Sequence, residues 1–217
     1  MKKKIRAIQY GIGPIGASIL KLMREKEAIE IIGAIDNDPA KIGKDLGEVV
    51  GAADAPWGVK VSGDAKGVLE QSADVVMHTT SSSLPKVADQ LLACMDVGSC
   101  VVSTCEELSY PFRTHPELAT QLDKSAKENG VALVGTGVNP GFVMDKLVIT
   151  LAAVSQRVEH AIAHRLVDAA FAQMKQRVHR RVMLLRRGRA FSLAGPQPAA
   201  RPTALRPRAG SCARRRC

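Results

Sequence analysis

The stretch Ile5–Gly16, IRAIQYGIGPIG, decides how the rest of the chain is read. An apolar run with β character (Ile5, Ala7, Ile8, Tyr10) leads into Gly11, Gly13 and Gly16. The apolar period then turns helical through Ile15, Ile19, Leu20, Leu22 and Met23. Strand, glycine turn and helix in this order form the pattern of a dinucleotide-binding unit. Gly11 permits a tight turn, Gly13 a close approach of backbone to a diphosphate, and Gly16 close packing of helix on strand. The diphosphate would lie at the helix N-terminus. There the N–H groups lack an intrahelical partner and the positive end of the dipole points outward. Pro14 suits the first helical turn because it has no N–H to leave unpaired. A glycine triplet alone is weak evidence, so the residues that follow it matter.

Glu30–Ile35 reads as a second strand, and it ends at Asp36, twenty residues beyond Gly16. A carboxylate there can accept both ribose hydroxyls of an adenosine half and would repel a 2′-phosphate. Asn37 and Asp38 follow it, not the arginine usually found beside a 2′-phosphate. NAD is therefore favoured over NADP, with Lys41 and Lys44 the side chains able to swing toward a phosphate. The competing role for Asp36 is that of a turn residue ahead of Asp38-Pro39.

Strand–helix alternation continues along the chain. A short helix is expected at Lys44–Val50, a strand at Val59–Ser62, and a helix from an Asp64 cap to about Gln71. Asp74–Met77 reads as the fourth strand and ends in His78-Thr79-Thr80-Ser81-Ser82-Ser83. Ligands of open parallel sheets bind beyond the carboxyl ends of strands where the strand order reverses, so Thr79 and Thr80 are expected to border a cofactor. Ser82 and Ser83 are expected to cap the helix Leu84–Met95, and His78 to be a packed or solvated strand-end residue. Ser99–Ser103 and Val131–Val134 read as strands five and six, with helix Pro116–Asn129 between them, stopped by Gly130. The alternation predicts a doubly wound α/β sheet of Rossmann type in the order 3-2-1-4-5-6.

The chain has 217 residues, enough to bury a real core in one domain or one and a half. No secretory leader is visible and no apolar stretch reaches membrane-spanning length. Five cysteines without paired spacing fit free thiols in a reducing cytoplasm, and no metal site is read. The net charge of +10 conceals a division. Residues 1–170 hold 18 of the basic and all 21 of the acidic residues, a net of −3, while residues 171–217 carry 13 basic residues, 12 of them arginine, and no acid.

The segments HTTSS, VVSTCEELSYP and LVGTGVNPGFVMDKL at the ends of strands four, five and six resemble the dihydrodipicolinate reductase-like family, most closely its 2,4-diaminopentanoate dehydrogenase branch. The resemblance covers about residues 4–170. It implies a nicotinamide-dependent oxidoreductase acting on a C–N bond, by oxidative deamination of a small diamino acid. The reductase branch of lysine biosynthesis is the alternative. It implies that Gly11, Ile12, Gly13, Pro14, Ile15 and Gly16 hold the diphosphate, Asp36 the ribose, and Thr79, Thr80 and Thr104 the nicotinamide. Asn139 and Gly141 would lie at a domain junction near substrate. Glu106 would bind an ammonium group or, equally, start the next short helix. Relatives of this kind associate as homo-oligomers. His160 and His164 have H-x-x-x-H spacing, but Ala161 occupies the general-base position; Val158–Val167 alternates as a strand would.

The domain expectation is a dinucleotide-binding unit at 1–145, the start of an α+β substrate domain at 146–170, and a basic tail without a fold of its own at 171–217. From Phe171 the resemblance stops and Arg, Pro and Ala dominate. Val178–Leu185 can form a short basic helix; the rest lacks the apolar content to bury itself. The tail is either a nucleic-acid-binding arm or, as preferred here, the product of a shifted reading frame that aborts the substrate domain. On that basis the chain is expected to be an inactive fragment, or a non-catalytic nucleotide binder.

Overall fold

The computed structural model describes residues 3–52, 56–138 and 141–164, and the backbone of 182–186 and 189–193. Six strands form one parallel sheet: β1 (Ile5–Tyr10), β2 (Ile29–Ile35), β3 (Val61–Ser62), β4 (Val75–His78), β5 (Cys100–Ser103) and β6 (Leu133–Gly135). Their order is β3-β2-β1-β4-β5-β6, the doubly wound Rossmann arrangement expected from the alternation. The order reverses between β1 and β4, the place beyond whose carboxyl ends open parallel sheets bind their ligands.

Neighbouring residues of β1 go to opposite faces, as the strand period requires. Ile8 joins Val76, Leu84, Val87, Leu91, Met95 and Val101 in one core cluster. Ala7 joins Leu20, Met23, Ala34, Leu46 and Val61 in the other. The sheet is thus buried on both faces, which is why its central strands read as continuous apolar runs.

The helices are α1 (Pro14–Arg24), α2 (Leu46–Val49), α3 (Ala65–Leu69), α4 (Leu84–Asp96), α5 (Pro116–Glu128) and α6 (Leu147–Ala152). Asp45 caps α2 through Gly47 N–H at 2.8 Å, and Asp64 caps α3 through Gly67 N–H at 3.1 Å. Helix α4 departs from the sequence expectation. Ser83 stands at the N-cap position, but its side chain makes no capping bond. The Glu107 carboxylate, reaching over from the turn after β5, accepts from Leu84 N–H at 2.8 Å instead. An anion at the positive end of a helix is a stronger cap than a neutral hydroxyl.

Two compact units are present, Met1–Val158 and Glu159–Cys217. In the second, β7 (Val182–Arg186) and β8 (Arg189–Leu193) pair antiparallel, with Arg186 opposite Arg189. The short helix expected over 178–185 is therefore replaced by a strand where the backbone is described. A two-residue link ending in Gly188 between apolar runs favours a hairpin. His160 and His164 lie in exposed backbone outside a strand, with Ile162 between them in a single β-bridge, and residues 165–167 of the expected strand lie outside the described residues. Among the described residues, no helix is long and apolar enough to cross a membrane.

Candidate functional site

The first βα corner is shaped by what its glycines exclude. Gly11 has φ +90°, and a Cβ there would lie 2.8 Å from the Thr79 carbonyl oxygen. A Cβ on Gly16 would overlap the Gly11 carbonyl oxygen and come within 2.7 Å of Thr79 Oγ1. Gly13 differs: nothing lies within 4 Å of its Cβ position. Gly13 is also the N-cap of α1, and no side chain caps that helix. The corner therefore presents an uncapped helix N-terminus and a residue without a side chain, with room for an anion against the backbone.

One peptide of the turn is held at both ends. The Gly11 carbonyl accepts from Gln9 Nε2 at 2.8 Å and from Thr79 Oγ1 at 2.7 Å. Gln9 Nε2 also donates to Thr79 Oγ1 at 2.8 Å. At the other end, Ile12 N–H donates to Asp36 Oδ2 at 2.7 Å. Asp36 is buried, 8% exposed, and its Oδ1 accepts from Asp38 N–H at 2.9 Å. Lys41 Nζ lies 3.2 Å from Asp36 and 3.3 Å from Asp38. An ionised carboxylate has about four acceptor positions, so Asp36 retains capacity for a ribose hydroxyl beyond the three donors it already holds.

The ends of β4 and β5 carry a second polar network. His78 is fully buried, its Nε2 is 2.9 Å from Gln90 Oε1 and its Nδ1 is 3.0 Å from Ser103 Oγ. An amide oxygen only accepts, so Nε2 carries the proton and Nδ1 accepts from Ser103. Burial depresses the proton affinity of His78, only partly offset by Gln90. Thr80 Oγ1 donates to Gln90 at 2.8 Å, and Tyr10 packs edge-on against the imidazole at 5.4 Å. Thr104 is half-buried, and its N–H donates to the His78 carbonyl at 3.0 Å. Thr79, Thr80 and Thr104 thus follow the carboxyl ends of the paired strands β4 and β5, but the Thr79 hydroxyl is turned onto the glycine turn.

Glu106 opens the 3₁₀ turn Glu106–Ser109 beyond β5 and is half-buried. That turn is tied to the one after β4. Glu107 N–H and the Cys105 thiol both donate to the Ser82 carbonyl at 3.3 Å, and His115 Nε2 lies 3.2 Å from Glu107. Burial pushes the Cys105 thiol up, which disfavours its thiolate. Gly141, φ +125°, opens the π-helical turn Phe142–Lys146, and its N–H donates to Asp145 Oδ2 at 2.7 Å. Asn139 lies outside the described residues. Gln9, Gln90, Ser103 and Glu107 escaped sequence analysis. The one available signal was Gln9, a polar residue inside an apolar central strand.

The family model described as "Dihydrodipicolinate reductase, N-terminus" matches residues 5–105, which span β1 to β5. Over these residues the chain is similar to the N-terminal domain of dihydrodipicolinate reductases. A 2,4-diaminopentanoate dehydrogenase of Acetoanaerobium sticklandii is 34% identical over 172 residues, covering 77% of this chain and 47% of that protein. An amine dehydrogenase of Streptomyces virginiae is 27% identical over 162 residues, covering 71% and 44%. The solved structure of an amine dehydrogenase from Mycobacterium smegmatis superposes with a TM-score of 0.67 at 34% identity, covering 73% of this chain and 46% of that one. The chain spans about half the length of the relatives it matches.

Proposed function

We propose that the crevice binds a nicotinamide dinucleotide, and that this chain is the cofactor-binding part of an oxidoreductase acting on a C–N bond of a small amino acid. The observation that carries this is one corner of the sheet. The uncapped N-terminus of α1 opens past Gly13, and the buried Asp36 carboxylate stands at the end of the adjacent strand. Gly11, Ile12, Gly13, Pro14, Ile15 and Gly16 hold the diphosphate through backbone, and Asp36 holds the adenosine ribose. Thr80 and Thr104 border the nicotinamide with side chain and backbone; Thr79 does so with backbone alone. Once bound, the nicotinamide supplies the acceptor for a hydride leaving the amine-bearing carbon.

Glu106 offers a negative charge to a substrate ammonium, and Gly141, with Asn139 by the family resemblance alone, is assigned to the substrate side. The substrate class follows the name of the Acetoanaerobium relative, 2,4-diaminopentanoate dehydrogenase. NAD is preferred, because a 2′-phosphate would face both Asp36 and Asp38 while Lys41 is already engaged by them. Turnover further needs the substrate carbon held against the ring with water excluded. The residues described grip the cofactor rather than the reacting carbon, so the 217-residue chain is expected to bind dinucleotide without turning over.

Calorimetric titration with NAD⁺, NADP⁺ and ADP-ribose tests the reading. NAD⁺ and ADP-ribose are expected to bind more tightly than NADP⁺, with Asp36→Ala erasing the difference. No uptake at millimolar concentration overturns it. NADH formation from 2,4-diaminopentanoate by the 217-residue chain would instead overturn the absence of turnover.

A further inference from the structure

We propose that Gln9 and Thr79 are positioning residues that clamp the Gly11–Ile12 peptide plane in the one orientation that receives a diphosphate. The proposal rests on the dinucleotide reading above. A trans peptide is planar, with its C=O and N–H pointing in opposite directions. Two donors grip the carbonyl, Gln9 Nε2 at 2.8 Å and Thr79 Oγ1 at 2.7 Å, and Asp36 grips the N–H at 2.7 Å. Half a turn of this plane would aim the Gly11 oxygen at the Asp36 carboxylate, on the ribose side of the crevice. It would also leave the Gln9 amide facing an N–H. Glycine resists such a rotation less than any other residue, so the turn that a close-approaching diphosphate needs is also the turn least able to hold its own shape.

Two further observations point the same way. Gly16 lacks a side chain where one would collide with the clamp itself: a Cβ would overlap the Gly11 oxygen and reach 2.7 Å from Thr79 Oγ1 and 3.0 Å from Gln9 Nε2. Gln9 is fully buried, and its Oε1 has no hydrogen-bond partner. A buried acceptor without a donor disfavours folding, and a methionine of similar shape would remove that penalty. The amide is therefore kept for what its Nε2 does at the Gly11 carbonyl.

The test compares Gln9→Met, Thr79→Val and Thr79→Ser in the full chain, reading the ADP-ribose dissociation constant and the ligand-free Tm. Gln9→Met and Thr79→Val are each expected to weaken ADP-ribose about tenfold, since each removes a donor that fixes the binding surface. The Tm of Gln9→Met should stay level or rise. Thr79→Ser keeps the hydroxyl and should bind within about twofold of the unmodified chain. Should Gln9→Met not fold, the Thr79→Val and Thr79→Ser pair decides. Unmodified binding combined with undiminished affinity in Thr79→Val overturns the clamp alone, as does a Tm loss with affinity unchanged. If the unmodified chain takes up no ADP-ribose at millimolar concentration, the dinucleotide reading falls and the clamp falls with it.

Discussion

Burial works against a charge on His78. Its Nε2 donates to Gln90, its Nδ1 accepts from Ser103, and burial lowers its proton affinity from the ordinary value of 6.5. Between that value and the lower folded one, the unfolded chain binds a proton that the folded chain refuses, so stability rises with pH across that window. The contribution is whole above about pH 6.5 and is lost as pH falls toward the folded value. Calorimetric Tm values between pH 8 and pH 5 should therefore decline on the acid side, and His78→Gln should flatten the decline. Asp38, Asp45 and Asp74 are held below the carboxylate range chiefly by backbone N–H donors, from Ala40, Trp57 and Arg6 respectively, so they act in a more acid window. The glycines separate stability from binding. Gly13→Ala meets open space and should cost well under about 1 kcal/mol of stability while abolishing dinucleotide uptake. Gly11→Ala, at φ +90° against the Thr79 carbonyl, should cost about 1–3 kcal/mol. Urea denaturation and ADP-ribose titration of the pair separate the two effects. Spacing made these glycines legible. It did not reveal where the Thr79 hydroxyl points, because a strand-end threonine reads the same whether it faces the crevice or the turn beneath.

Strand order was readable because right-handed crossovers between parallel strands leave few topologies for a βαβ succession. Local composition is a poorer guide to what holds an element's end. Ser83 looks like the cap of α4, yet the cap is Glu107, from the turn beyond the next strand. No window of sequence around Leu84 contains that partner. Glu107→Ala should accordingly cost about 0.5–2 kcal/mol, the usual worth of an N-cap, and Ser83→Ala less than about 0.5 kcal/mol. Urea midpoints of the two variants check this, and equal losses would return the cap to Ser83. The same blindness to distant partners bears on the described residues around His160, where alternation suggested a strand and Ile162 alone is bridged. It also explains the 182–186 segment, whose helical reading missed the pairing with 189–193.

At the scale of the whole chain, charge is divided more sharply than structure. The net of +10 arises entirely from residues 171–217, with 13 basic side chains and no acid, against −3 for residues 1–170. Self-repulsion within so basic a stretch is relieved by polyanions, which release counterions when arginines neutralise their phosphates or sulfates. The full chain should therefore be retained on heparin at neutral pH and low salt. Elution should sharpen steeply with ionic strength, because the interaction is carried by many exposed charges and is screened over about 8–10 Å near physiological salt. A chain ending at residue 170 carries a net charge of the opposite sign and should pass through unretained. Dinucleotide uptake tests the independence of the two parts. The β1–α1 corner and Asp36 belong to the compact unit Met1–Val158, so removing residues 171–217 should leave the ADP-ribose dissociation constant within about twofold. Retention that survives the deletion would place the polyanion contact in the acidic part of the chain. A large loss of ADP-ribose affinity would show that the basic part contributes to the nucleotide site.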